Sequence, residues 1–458
     1  MPRDLKSTMT RRELLERAGT AAAVSVVATP FLGALGELAV SAQELPLNAI
    51  AGVDRVVMKQ GKTYLKAWAG YGSPRPGRQG GGRQSGAGDV APPTGPTPTT
   101  LWRKESGPGT VTFADPTAAV TTATFSDTGE YVLGVTADNG TSKASSTLVV
   151  KVELPPPAAQ LTPVFTTNYR IDSPLWSSRM KSLITHWIPH CIDQMNRTDL
   201  TQGPGGIDNF VEAGKALRGE RYQAHKGYVF SNAWVHQTVE AMSLALMFDA
   251  KGDQEIVAAQ AKFRATLDDW IPKILGAQHP DGYLQTAFTT RKALAEGATY
   301  PAGGRGEWVD RWTPSHRGNH EGYVAGYFIE SAINHYMMTA GKDRRMYDAA
   351  KKLANCWADH IGPAPKQEWF DGHQEMEQAL VRLGRFVNEV EGRDNVRPGD
   401  RYIQLAKFLL DCRKGGGEYD QSHLPVVQQY EAVGHAVRAV YTYSGMADVA
   451  VETHDIDY

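Results

Sequence analysis

The sequence predicts a mainly α protein: a toroid of antiparallel α/α hairpins preceded by a small β-sandwich. Three observations predict it. Residues 50–154 carry short runs of alternating apolar and polar side chains, such as "GTVTFA", "TTATFS" and "SSTLVVKVE", the period of half-buried strands. Beyond Pro155-Pro156-Pro157 the texture turns helical, and all thirteen histidines lie at or beyond His186. There the links "MFDAKGDQEIVAAQAKF" and "MMTAGKDRRMYDAAKKLANCW" both run helix, glycine, polar link, helix. Alternating helices on short links pack as antiparallel pairs.

In chain order, the first 42 residues read as an address. Thr10-Arg11-Arg12-Glu13-Leu14-Leu15 resembles a twin-arginine export signal, Ala18 to Leu32 is apolar, and Val40-Ser41-Ala42 offers small residues for cleavage before Gln43. The apolar stretch is too short and too alanine-rich to span a membrane stably. The expected product is periplasmic or extracellular, with no membrane contact after cleavage.

Residues 50–154 follow as a sandwich resembling the immunoglobulin or PKD type, with the D-x-G-x-Y spacing of a tyrosine corner at Asp127, Gly129 and Tyr131. Within them, residues 70–100 are rich in Gly, Pro, Arg and Ser and are expected to form a disordered loop. The domain has no histidine, so a spacer or glycan-docking module is expected. Residues 155–162 form a stiff proline-rich linker. In 163–458 the predicted helices are Met180–Met195, Ala233–Ala250, Glu255–Leu275, His320–Ala340, Met346–His360, Gln374–Val387, Arg401–Leu410 and Val426–Tyr443. Several are apolar nearly all round, so an inner layer is covered by an outer one.

The length accommodates two or three domains and a large core. A formal net charge of −2 gives no reason to expect a nucleic acid or an anionic membrane as partner. Cys191, Cys356 and Cys412 are far apart, form no C-x-x-C pair and are odd in number. That argues against a zinc ribbon, a redox motif and a disulfide framework.

The helix starting at His320-Glu321 places two costly polar groups at the head of an otherwise apolar element. Val324 stands where H-E-x-x-H needs its second histidine, which excludes a zincin. A helix N-terminus disfavours protonated histidine. His320 should stay neutral, with one donor and one acceptor for a hydroxyl pair. His373 repeats the arrangement in "WFDGHQEMEQALVRLGRF". A third element, "YDQSHLPVVQQYEAVGHAVRAVYTYSG", carries one polar stripe, Glu431, His435 and Arg438, predicted to face a cavity. Trp308, Trp312, Trp369 and Tyr430 are candidate flat faces for sugar C–H surfaces.

These segments resemble glycoside hydrolase family 127, the β-L-arabinofuranosidase-like family. "RWTPSHRGNHEGYVAGYFIESAINHYMMTAGK", "DGHQEMEQALVRL" and "YDQSHLPVVQQYEAVGHAVRAVYTYSGMADVA" look like its successive blocks, and "SPLWSSRMKSLITHWIPHCIDQMN", "IDNFVEAGK" and "HPDGYLQTAF" like its earlier ones. The resemblance implies an (α/α)6-type barrel acting on oligo- or polysaccharides that end in L-arabinofuranose or a related sugar. By motif its sugar-binding histidines fall on His320, His373 and His435, with Glu321, Glu431 and Arg438 as further candidates.

The resemblance also implies a cysteine nucleophile on zinc beside a glutamate acid/base, in a Glu-x-Cys and a Cys-Cys-Pro-Pro-Asn segment. The 458 residues contain neither segment, so no catalytic residue is assigned and no cofactor is expected of this stretch. The barrel is expected to be incomplete at its C-terminal end, with "HDIDY" starting a further helix at Asp455. The alternative expectation is a non-catalytic carbohydrate-binding protein on the same barrel.

Overall fold

The computed structural model describes residues 45–72, 95–156, 169–199, 205–291 and 311–458, without the side chains of Ser315 and His316. The predicted export signal, most of the 70–100 loop and most of the linker lie outside the described residues. Residues 70–71 and 99–100, which the sequence placed in that loop, belong to strands.

Among the described residues, nine strands build the first domain: β1 (Leu47–Ile50), β2 (Arg55–Met58), β3 (Thr63–Lys66), β4 (Trp68–Tyr71), β5 (Thr99–Ser106), β6 (Val111–Phe113), β7 (Val120–Phe125), β8 (Gly129–Asp138) and β9 (Lys143–Glu153). One sheet has the order β2-β9-β8-β5 and the other β3-β7-β6, with β1 paired to β4. Alternate side chains point inward, as Thr121, Ala123 and Phe125 do in β7. They meet Trp102, Leu133, Val135, Leu148 and Val150 in one core. The tyrosine corner is present: Tyr131 is fully buried and its hydroxyl donates to the Asp127 carbonyl at 2.9 Å.

The second domain is helical. α1 (Pro174–Ser182) continues through a π-turn at Leu183–Trp187 into α2 (Ile188–Met195). α3 (Asp208–Leu217) and the short α6 (Thr286–Thr289) were not predicted. α4 (Ser231–Met247), α7 (Glu321–Met338), α9 (Met376–Glu391) and α11 (Ala436–Thr453) stand side by side as an inner layer. α5 (Gln254–Gly276), α8 (Arg345–His360) and α10 (Asp400–Asp411) back them. The links behave as read: Asp253 caps α5 by accepting the Glu255 N–H at 3.0 Å. A single core runs through both layers, including Phe263, Trp270, Phe328, Tyr347, Trp357 and Trp369.

The last element departs from expectation. Residues 426–428 form one 3-10 turn, a loop follows, and α11 begins at Ala436 with His435 as its cap. Its buried face is Arg438, Ala439, Thr442, Gly445 and Val449, while Val437, Val440 and Tyr443 are exposed. The apolar run was therefore not a covered core helix. α11 ends in left-handed His454, and Asp455 Oδ1 then accepts the Asp457 N–H at 3.1 Å within a turn. No described helix is long and apolar enough to cross a membrane.

Candidate functional site

The site forms where α7, α9 and α11 begin. A 3-10 turn, Pro314–Asn319, delivers His320 to the head of α7 in the left-handed region, at φ 59. A non-glycine residue there is strained by about 1–3 kcal/mol and is held by its surroundings. Gly322 makes room for the group that does so. A Cβ on it would sit 3.0 Å from the Asp371 side chain. Asp371 Oδ2 accepts the Tyr323 N–H at 2.9 Å, and Oδ1 accepts the His373 N–H at 3.1 Å. One carboxyl thus ties the start of α7 to the turn before α9.

Arg413 extends the frame. It has no exposed surface and donates to the Asp371 carbonyl at 2.8 Å, to Glu377 Oε1 at 2.9 Å and to the Asp420 carbonyl at 3.1 Å. It therefore joins the His373 turn, α9 and the 418–435 segment.

The three histidines meet. The rings of His320 and His373 lie 5.0 Å apart, and those of His373 and His435 lie 6.0 Å apart. Aromatic rings surround them: Tyr323 is 4.3 Å from His373, Phe230 is 4.8 Å from His320, and Tyr419 is 5.4 Å from His435. Burial keeps all three histidines below their ordinary range, His320 well below it and His373 down to about 4, and the Arg438 guanidinium adds to the effect on each. Burial is the first cause of this neutrality, and a neighbouring cation adds to it.

Their second partners assign the tautomers. His320 is hydrogen-bonded to the Gly318 backbone and its buried Nδ1 has no protein partner, which leaves Nδ1 as an acceptor. His373 Nδ1 donates to the Gln374 carbonyl at 3.0 Å, leaving Nε2 as an acceptor. His435 Nδ1 accepts the Arg438 N–H at 3.5 Å, so Nε2 carries the proton. Two acceptors, one donor and flat ring faces suit an uncharged ligand with several hydroxyls.

Of the further candidates, Arg438 is buried beside the histidines, with its guanidinium 4.5 Å from the centre of the Tyr419 ring. Glu321 is not a ligand contact. Its two oxygens are occupied by the Tyr283 hydroxyl at 2.6 Å and the Trp312 N–H at 2.9 Å, and burial pushes its carboxyl up to about 8. Glu431 is exposed on the loop before α11, so the predicted three-residue stripe does not exist. Trp312 and Trp369 are buried core, and Trp308 lies outside the described residues. Tyr430 packs against the β-sandwich instead.

Sequence reading missed Phe230, Tyr419 and Asp371, which lie far from the histidines they serve or look like ordinary turn residues. Tyr323 carried a signal, because it stands one helical turn after His320. A cavity of about 400 Å³ lies beyond the Tyr327–Tyr441 hydroxyl pair, lined in part by Glu240, Glu375 and Arg382. Glu375 is fully buried there, and burial first, then Glu240, pushes its carboxyl well up.

Burial raises the thiols of Cys356 and Cys412 to about 11 and about 12. Cys412 Sγ donates to the Trp369 carbonyl at 3.4 Å. Among the described residues no group of three His, Cys, Asp or Glu side chains is arranged to hold a metal ion.

Paired helical layers with neutral imidazoles and aromatic faces at their helix starts define the α/α class of the domain. The chain belongs to the family described as β-L-arabinofuranosidase, GH127 catalytic domain, whose model matches residues 168–458. A curated relative, the non-reducing end β-L-arabinofuranosidase of Bifidobacterium longum subsp. longum, is 28% identical over 317 residues, covering 62% of this chain and 43% of the relative. A solved GH127 β-arabinofuranosidase is 33% identical with a TM-score of 0.50, covering 65% of this chain and 42% of that chain. A GH127 β-L-arabinofuranosidase from Geobacillus stearothermophilus T6 is 26% identical with a TM-score of 0.49, covering 63% of this chain and 42% of that chain. The chain thus spans less than half the length of each of these relatives.

Proposed function

We propose that this chain supplies the sugar-binding part of an exported glycoside hydrolase acting on glycans that end in L-arabinofuranose or a closely related sugar. The observation that carries the reading is the convergence of His320, His373 and His435, neutral and with unused polar atoms, among aromatic rings. His320 Nδ1 and His373 Nε2 accept sugar hydroxyl protons, His435 Nε2 donates to a sugar oxygen, and Tyr323 and Phe230 cover C–H faces. A furanose has no charge, so neutral imidazoles bind it without the desolvation cost of a buried cation. Relatives that are β-L-arabinofuranosidases support the choice of sugar, and the twin arginines support export.

The second reading is a non-catalytic carbohydrate-binding protein built on the same barrel. Calorimetric titration with L-arabinose and with a β-L-arabinofuranoside, alongside a hydrolysis assay, tests both. Binding that is lost in His320→Ala and His373→Ala supports the site. Binding without hydrolysis fits both readings, whereas hydrolysis removes the second. No binding of either sugar removes both.

A further inference from the structure

We infer that Tyr430 is a positioning residue: gripped by the β-sandwich, it sets the place of the segment that ends in His435. The inference rests on the proposed reading of His435 as a sugar contact.

The grip is built on the sandwich side first. Arg55 Nε and one Nη donate to the Val53 carbonyl at 2.9 and 2.7 Å, and the other Nη donates to the Tyr64 carbonyl at 2.7 Å. The guanidinium is thereby fixed, and its centre lies 4.1 Å from the centre of the Tyr430 ring. A cation held over an aromatic face attracts it, more strongly when partly desolvated. Tyr64 lies on β3, the edge strand of its sheet. Its backbone N–H donates to the Tyr430 hydroxyl at 3.0 Å, so Tyr430 also satisfies an edge donor.

The segment from Tyr430 to His435 has little slack. Gln429 Nε2 donates to the Gln421 and Leu424 carbonyls, both at 2.8 Å. Gln421 Nε2 donates to the Val433 carbonyl at 2.8 Å, and the His435 N–H donates to the Tyr419 carbonyl at 3.2 Å. Gly434 has φ 79, and a Cβ there would lie 1.8 Å from the Glu418 carbonyl oxygen. Only glycine lets the chain press so close before turning into α11. Movement of Tyr430 is therefore passed to His435 rather than absorbed. Another sandwich contact, Lys62 to Asp457 at 3.2 Å, lies far along the chain from this segment and serves as an internal control.

The test uses the full chain with Tyr430→Ala, Tyr430→Phe and Lys62→Ala. Two properties are read: amide hydrogen exchange and imidazole NMR signals of His435, and affinity for L-arabinose. Tyr430→Ala is expected to accelerate His435 exchange, shift its ring signals and weaken L-arabinose about tenfold. Tyr430→Phe, which keeps the ring under Arg55, is expected to lie between. Lys62→Ala is expected to leave both properties unchanged. Unaltered His435 signals in Tyr430→Ala, or equal changes in Lys62→Ala, would overturn the inference. If the unsubstituted chain fails to bind L-arabinose, the proposed function falls, while exchange at His435 still decides the grip.

Discussion

Asp371 Oδ2 accepts the backbone N–H of Tyr323 at 2.9 Å, three residues beyond His320. Its other oxygen accepts the N–H of His373, so one buried carboxyl sets the spacing of two histidines that lie 53 residues apart in number (373 − 320). Burial pushes this carboxyl up to about 7, and the two N–H donors oppose the shift. Asp371→Ala is expected to leave two buried donors unpaired, each costing about 1–3 kcal/mol. Urea unfolding reads that loss, and sugar titration reads the accompanying loss of affinity. A variant as stable and as tight-binding as the original would refute the role.

His373 is held neutral down to about 4, so its ring is expected to take up a proton only as pH approaches 4. His225 and His236, held down to about 4 and about 3, stay neutral in the fold while the unfolded chain takes up protons below 6.5, so these two lower stability as pH falls from 6.5 toward 4. The carboxyls of Asp371 and Glu321, raised to about 7 and about 8, hold protons in the fold first and act in the opposite sense. NMR titration of the His225, His236 and His373 rings checks this, and ring midpoints near 6.5 would contradict it.

Arg413 and Glu377 form an ion pair with almost no exposed surface. Removing one partner strands a buried charge, at about 3–5 kcal/mol, whereas replacing both with apolar groups of similar size is much less costly. Arg413→Ala should therefore destabilise the fold far more than Arg413→Met combined with Glu377→Met. Equal losses in denaturant unfolding would show that the pair is not the cause.

His236 is buried between Phe210 and Phe328, at 5.4 and 5.1 Å, and neither ring nitrogen has a partner among the described residues. An unsatisfied buried polar group costs about 1–3 kcal/mol. His236→Leu is expected to raise the thermal midpoint, while sugar affinity stays the same. A lower midpoint would mean that the ring makes a contact leucine cannot replace.

Export is read from Arg11 and Arg12. Replacing both with lysine keeps the charge but is expected to leave uncleaved precursor in the cytoplasm, because the pair is recognised by a receptor rather than as charge. Fractionation and immunoblotting check it, and normal processing would defeat the assignment.

The sequence by itself determined the two textures, the paired helices and two of the three histidine positions at helix starts. Strand alternation and helical period are local properties, so "TTATFS" and the helix after the link "DAKGD" read correctly without neighbours. His320 and His373 were legible for the same reason: each breaks an apolar pattern at its edge. Tertiary structure alone decided what Glu321, Glu431 and Tyr430 do. Glu321 sits where a ligand contact was expected, yet Tyr283 and Trp312 occupy it from another part of the chain. The run from Val426 read as one helix because its residues are apolar at helical spacing. In the fold Gly434 turns left-handed against the Glu418 carbonyl, and the helix starts only after it. Asp371 and Arg413 looked like ordinary turn residues, since their partners are set by which loops the packed helices bring together. Periodicity records which face is buried, but not which distant polar group meets it, because hydrogen bonds form over about 3 Å while the chain separations involved run to tens of residues.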